Sequence, residues 1–135
     1  VLADRKPGSY EIKAMLWVQG ESDSGVKKRG PLPSQTYGAN LKNLIQAVRK
    51  HHKVEKLPFL IQQVGGGAVI KGMKDTASND AHVSFIAQSS DKTSPYYLPK
   101  NPPPIGHYVT EGMKRMGLNF YKTYATDYLK LEAKK

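Results

Sequence analysis

The feature that most constrains the fold of this chain is an apolar run that ends abruptly in a polar cluster. Residues 14–18 (AMLWV) have the length and composition of a buried strand, and we predict a first strand over residues 12–18 with helices on both of its faces. Residues 19–24 (QGESDS) follow directly. Because ligands of open α/β sheets gather where strands end, this cluster is either a functional site or an elaborate turn.

The next part of the chain predicts one helix and two further strands. Residues 24–34 contain two glycines and two prolines, which indicates an exposed loop. A helix over residues 35–51, capped by Ser34, would place four apolar side chains on one face: Leu41, Leu44, Ile45 and Val48. Strands are predicted over residues 57–61 and 81–87.

Glycines between these two strands leave the intervening segment open to more than one interpretation. Residues 65–67 are a triple glycine that lacks the spacing of a phosphate-binding loop, so we interpret them as a flexible loop. Residues 68–78 are ambiguous, since their apolar residues favour a short helix while Gly72 weakens it.

The last third of the chain consists of a proline-rich loop and a helix. The loop over residues 88–106 contains five prolines and ends at His107. Thr110 is placed to cap the helix, and residues 130–135 form a basic tail. The predicted apolar stripe of the helix comprises Met113, Met116, Gly117, Phe120, Tyr124, Tyr128 and Leu131.

The alternation of strands and helices predicts an α/β fold with a parallel sheet. The chain has 135 residues, and we expect residues 1–135 to form a single domain. Three strands are few for a parallel sheet and leave its edges unprotected. We therefore expect this domain to be the C-terminal portion of a larger fold.

Composition narrows the classes of function. Cysteine is absent and the four histidines lack metal-ligand spacing, so no metal site is expected. No apolar run reaches the roughly 18–20 residues that span a bilayer. The net charge of +10 could favour polyanions, but the basic residues are spread without interleaved aromatics, which favours a solvated surface over nucleic-acid binding.

Two polar groups are placed to act together in acyl transfer. His107 ends the long loop beside Gly106, which permits the close approach of a substrate, although a lone histidine at a loop–helix junction is more often structural. Gln19 offers an amide N–H that could stabilise an oxyanion, and Gly20 leaves room for it. A nucleophile is the part that these residues do not supply.

Residues 16–23 (LWVQGESD) resemble the W-x-Q-G-E-S/A-D signature of the carbohydrate esterases related to sialate O-acetylesterase, within the SGNH hydrolase superfamily. The resemblance continues through Tyr37, Leu41, Arg49 and residues 57–59. It closes with residues 106–117 (GHYVTEGMKRMG), which are similar to that family's catalytic-histidine block.

The resemblance implies a three-layer α/β/α sandwich of SGNH or flavodoxin-like type, and a Ser-His-Asp type site. It implies an acetylated carbohydrate as substrate, no metal or organic cofactor, and a secreted or periplasmic location. It assigns Gln19, with Gly20, to the oxyanion hole and His107 to the general base. Glu21 and Asp23 match motif positions that we interpret as ordering the loop.

Two departures from the family's pattern bear on these roles. The nucleophilic serine of the family lies in a G-x-S or G-D-S block upstream of all the motifs seen here, and no residue of this chain fits it; Ser22 is not expected to replace it. Pro104 stands three residues before His107, where the family has an aspartate. Asp91 and Glu111 are the candidate acid partners, with a backbone carbonyl as the alternative.

The leading hypothesis is a carbohydrate O-acetylesterase whose serine is supplied by an upstream segment of the same polypeptide or by a complementary chain. The first alternative is a catalytically degenerate relative that binds carbohydrate without hydrolysing it. A polyanion-binding module is a weaker alternative that rests on the net charge. No membrane partner is expected.

Overall fold

The computed structural model describes residue 6 and residues 9–130, in which a parallel sheet is packed between helices. The strands are β1 (Met15–Trp17), β2 (Phe59–Gln62) and β3 (Val83–Ile86), paired in the order β1-β2-β3 with both pairs parallel. The helices are α1 (Val26–Arg29), α2 (Leu32–His52), α3 (Gly67–Ser78) and α4 (Thr110–Asp127). The predicted α/β class and parallel sheet are confirmed.

One face of the sheet is covered by α2 and α3. Leu41 and Ile45 of the predicted stripe are buried against Phe59 and Ile61 of β2, and Leu44 and Val48 pack at the rim of the same core. The two helices approach closely at Gly38 and Gly72, where a Cβ added to Gly72 would lie 2.9 Å from the Gly38 Cα. Residues 68–78 therefore belong to a helix that continues through Gly72. The missing side chain at Gly72 lets α3 approach α2 closely instead of ending the helix.

The other face is covered by α4, which completes the three-layer α/β/α arrangement. Its core contains Leu60 of β2, Ile86 of β3, Leu98 of the long loop, and Met116 and Phe120 of α4.

Parts of the predicted α4 stripe are wrong. Met113 is 56% exposed and Gly117 is also exposed, since the helix is rotated so that Gly112 contacts the Pro99 carbonyl instead. Leu131 and the tail beyond residue 130 lie outside the described residues.

The first strand is shorter and less buried than predicted. It covers only Met15–Trp17, and Leu16 is 53% exposed while Val18 is 40% exposed. Leu16 pairs in register with Leu60, so both side chains point to the α4 face. Helix α4 packs on β2 and β3, which leaves that face of β1 uncovered.

Helix beginnings also differ from the predictions. The segment 24–34 contains the single-turn helix α1, and α2 begins at Leu32 after Pro31. Ser34 is therefore inside the first turn, where its hydroxyl donates to the Pro31 carbonyl at 2.9 Å instead of capping the helix. Thr110 is the first residue of α4, and the cap position is Val109. None of the described helices is long and apolar enough to cross a membrane.

Candidate active site

The polar cluster after β1 and the His107 segment lie at the same edge of the sheet. Ser84, near the start of β3, donates through its hydroxyl to Asp127 at 2.6 Å and lies 3.0 Å from the Tyr128 hydroxyl at the end of α4. Helix α4 therefore runs antiparallel to the strands, and its first turn is at their carboxyl ends. Gln19 and Gly20 leave β1 at those same ends.

Gln19 is held by contacts from α2 and from its own loop. The Tyr37 hydroxyl donates to the Gln19 backbone carbonyl at 2.6 Å and accepts a hydrogen bond from the Trp17 indole N–H at 3.3 Å. The Gln19 side-chain amide donates to the Asp23 carboxylate at 2.7 Å. An amide NH₂ has two hydrogens, so one donor of Gln19 is left for another acceptor.

Gly20 is packed so closely that no other residue fits without a shift. Its φ is +139°, and an added Cβ would lie 2.8 Å from Val69 Cγ1 and 3.2 Å from the Tyr37 hydroxyl. Its carbonyl accepts hydrogen bonds from the backbone N–H of Ser24 at 3.1 Å and from the Ser24 hydroxyl at 3.0 Å. The polar cluster is thus a folded turn rather than an open loop.

Ser24 also joins this turn to the triple glycine after β2. Its hydroxyl oxygen accepts a hydrogen bond from the Gly66 N–H at 2.8 Å. Gly65 has φ +72°, and a Cβ there would collide with the Ser24 hydroxyl oxygen and lie 2.9 Å from the Gly20 carbonyl. Gly65 and Gly66 thus lie in the predicted loop, where they pack against the Gly20 turn, whereas Gly67 is the first residue of α3.

His107 is exposed and its backbone is held by a short antiparallel pairing. Lys100 pairs with Tyr108 across an isolated bridge, and the His107 carbonyl accepts from the Asn101 N–H at 2.8 Å. The Val109 N–H donates to the Pro99 carbonyl at 3.1 Å. These bonds fix both ends of the segment that carries the imidazole.

Tyr108, the residue after His107, anchors this segment against the core. Its ring packs against the core under α4, and the Lys100 ammonium lies 4.4 Å from the ring centroid. Burial, with a smaller contribution from the nearby Glu21 carboxylate, raises the pKa of Tyr108 to about 12. Glu21 follows β1 and Tyr108 precedes α4, so both belong to the carboxyl edge of the sheet.

The two candidate acid partners of His107 bind other groups in this structure. Asp91 accepts hydrogen bonds from the Thr93 N–H at 2.9 Å and hydroxyl at 2.8 Å, and these bonds lower the pKa of its carboxyl. Glu111 pairs with Arg115 at 2.8 Å, and this hydrogen bond lowers the pKa of Glu111. Within residues 9–130, no carboxylate is hydrogen-bonded to the imidazole of His107.

A pocket of about 170 Å³ opens beside Gln19 on the α2 side of β1. The wall combines aromatic, amide and carboxylate groups, and His107 is not part of it. The lining residues are Trp17, Gln19, Asp23, Pro33, Tyr37, Asn40, Leu41 and Leu44. Over the same described part of the chain, no cluster of histidine or acidic side chains is arranged to hold a metal ion.

Three residues that shape this edge were not predicted to have a role there. Tyr37 and Ser24 hold the Gly20 turn. Gln62, which lies just beyond the predicted strand over residues 57–61, is fully buried with its amide donating to the Ile86 carbonyl at 3.3 Å. The sequence signal that could have located Gln62 is an amide directly after an apolar run, because an amide at such a place is rarely buried without specific hydrogen bonds.

Comparison with protein families identifies one match over nearly the whole chain. Residues 2–126 match the family described as carbohydrate esterase, sialic acid-specific acetylesterase. No curated protein and no solved structure matched the chain. The match includes both the Gln19 turn and the His107 segment, and the α/β/α layers are consistent with it. The chain therefore belongs to the sialic acid-specific acetylesterase family of carbohydrate esterases.

Proposed function

We propose that the chain forms the oxyanion and histidine half of a hydrolase that removes O-acetyl groups from carbohydrate. The observation that carries this proposal is that the Gln19 turn and the His107 segment lie at the same edge of the sheet in a member of this esterase family. The nucleophilic serine would come from an upstream segment of the same polypeptide or from a complementary chain.

The reaction that fits these groups is a two-step acyl transfer. His107 takes the proton from the serine hydroxyl as its oxygen attacks the ester carbonyl, and the Gln19 amide stabilises the resulting oxyanion. The tetrahedral intermediate then expels the sugar hydroxyl, which receives the proton from His107. Water attacks the acyl-serine with His107 again accepting a proton, and acetate leaves as the serine recovers its proton.

A binding protein without catalysis is the second candidate function. Two observations favour it: Pro104 replaces the expected aspartate, and both candidate acid partners, Asp91 and Glu111, bind other groups. Without a carboxylate to hold the correct tautomer, a catalytic histidine loses much of its effect.

The test is hydrolysis of p-nitrophenyl acetate by the chain alone and by the chain joined to a serine-bearing upstream segment. We expect turnover only with the segment, and a loss of about 10²–10⁴-fold in His107→Ala. The matched control is His51→Ala, since His51 is exposed near the end of α2 and away from this edge. Turnover that persists in His107→Ala would contradict the assigned role.

The same preparation separates the two candidate functions. If the completed chain does not hydrolyse the ester but binds an acetylated oligosaccharide in calorimetry, the binding function is correct. If it does neither, both candidates are wrong.

A further inference from the structure

Two buried polar atoms near the His107 segment have no hydrogen-bond partner among the residues that the structure describes. They are the Gln62 side-chain oxygen, Oε1, and the Tyr108 hydroxyl. Leaving a buried polar atom without a hydrogen bond is destabilising, and the great majority of such atoms in native proteins are hydrogen-bonded. Each of these two atoms therefore calls for a hydrogen-bond partner.

Both atoms belong to the layer between the sheet and α4, at the carboxyl edge. Gln62 is the last residue of β2 and pairs in register with Ile86. It lies two residues after Leu60, so its side chain points to the same α4 face. Tyr108 packs against the cluster that contains Leu60 and Ile86, the two residues that flank Gln62.

The two atoms also have complementary hydrogen-bonding capacity. The Gln62 amide nitrogen donates to the Ile86 carbonyl at 3.3 Å and to the Gln63 carbonyl at 3.4 Å, which fixes the orientation of the amide and leaves Oε1 as an acceptor. The phenol of Tyr108 is protonated at neutral pH, as any ordinary tyrosine is, and burial raises its pKa further. Tyr108 is therefore a donor.

We propose that Tyr108 and Gln62 position His107 through one buried water molecule, which accepts a hydrogen bond from the Tyr108 hydroxyl and donates one to Gln62 Oε1. A water that satisfies two otherwise orphaned buried groups is a normal part of a protein interior. His107 is adjacent to Tyr108, and its carbonyl is held by Asn101. Holding the phenol therefore restrains the backbone segment that carries the imidazole.

This inference rests on the proposed function, because positioning His107 matters for catalysis only if His107 is the general base. Its first test, however, does not require enzymatic activity. The ring C–H resonances of His107 are assigned by NMR in the 135-residue chain with the help of His107→Ala. We expect Tyr108→Phe and Gln62→Met each to shift or broaden these resonances. The matched control is Tyr128→Phe, which removes a hydroxyl that lies 3.0 Å from Ser84 at the other end of α4, and which should leave them unchanged.

A double-mutant cycle tests whether the two side chains share a partner. We expect each single variant to lower the folding equilibrium constant about tenfold, and the double variant to lower it about tenfold as well rather than a hundredfold. Additive losses would overturn the shared water. If Tyr108→Phe does not fold, unchanged His107 resonances in Gln62→Met would overturn the proposal on their own.

Activity separates failure of this inference from failure of the proposed function. If the serine-completed chain depends on His107 but Tyr108→Phe keeps its kcat and its pH profile, the positioning role is wrong and the function stands. If the completed chain is inactive while the NMR shifts and the coupling are observed, the function is wrong and the structural link stands.

Discussion

Replacing Gly20 by alanine is the sharpest test of how the Gly20 turn is built. The added Cβ would lie 2.8 Å from Val69 Cγ1 and 3.1 Å from Met73 Cε, and both of these side chains are fully buried. Forcing an extra carbon into a packed core costs about 1–3 kcal/mol. A φ of +139° adds about 1–3 kcal/mol for a residue with a side chain. The unfolding free energy should therefore fall by about 2–6 kcal/mol.

Gly30→Ala is the matched control for this measurement. Gly30 also has a positive φ, +75°, but a Cβ there would meet nothing within 4 Å, so only backbone strain of about 1–2 kcal/mol applies. Urea unfolding is followed by circular dichroism and by the fluorescence of Trp17, the only tryptophan. Because urea m-values are about 1–3 kcal/mol/M, the midpoint of Gly20→Ala should be roughly 1 M below that of Gly30→Ala. Equal midpoints would refute the reasoning.

Two further changes test the contacts that support this edge and the core. Ser24→Ala should lower the unfolding free energy by about 1–3 kcal/mol in urea titrations, because it removes the hydroxyl that joins the Gly20 carbonyl to the Gly66 N–H; no change would show that water replaces it at no cost. Asp80→Asn should destabilise by about 1–2 kcal/mol at pH 7, less than for a fully buried pair, since the ion pair of Asp80 with Arg49 at 2.5 Å is partly exposed. Partial burial acts to raise the pKa of Asp80, but hydrogen bonds from Arg49 and the His82 N–H lower it overall, so the stabilisation is complete above the unfolded pKa of about 3.9. The difference between wild type and Asp80→Asn should therefore shrink as the pH falls through the depressed folded pKa, and a difference that stays constant down to acid pH would contradict this account.

The sequence predicted those parts of the fold that depend on local pattern. The apolar spacing of Leu41 and Ile45 located the buried face of α2, and the apolar segments of β2 and β3 located the two strands that helices cover on both faces. These signals are reliable because burial repeats with the period of the element.

The parts that the sequence did not predict depend on contacts between distant segments. Gly72 was taken to weaken α3, but it faces Gly38, which is 34 positions away in the numbering and on another helix. Leu16 reads as a buried strand residue, and only the position of α4 over β2 and β3 leaves it exposed.

The sequence identified the candidate site residues but not the hydrogen bonds that hold them in place. Gln19, Gly20 and His107 were identified from the residues, and the structure places the segments that carry them at one edge of the sheet. The roles assigned to them, to Glu21 and to Asp23 remain predictions. The links between Ser24 and Gly66, and between Tyr37 and Gln19, could not be predicted, because each joins residues that are separated by at least 18 positions.

The contact between Gly38 and Gly72 has a consequence for how this chain can vary. Tyr37, the neighbour of Gly38, is the residue whose hydroxyl holds the Gln19 carbonyl. A side chain at either glycine would push α2 and α3 apart and carry Tyr37 away from β1. The two glycines are therefore constrained as a pair by the position of Tyr37, whose ring lies 3.5 Å from a Cβ added at Gly72. A side chain at either glycine would therefore disturb the Gly20 turn as well as the packing of the two helices.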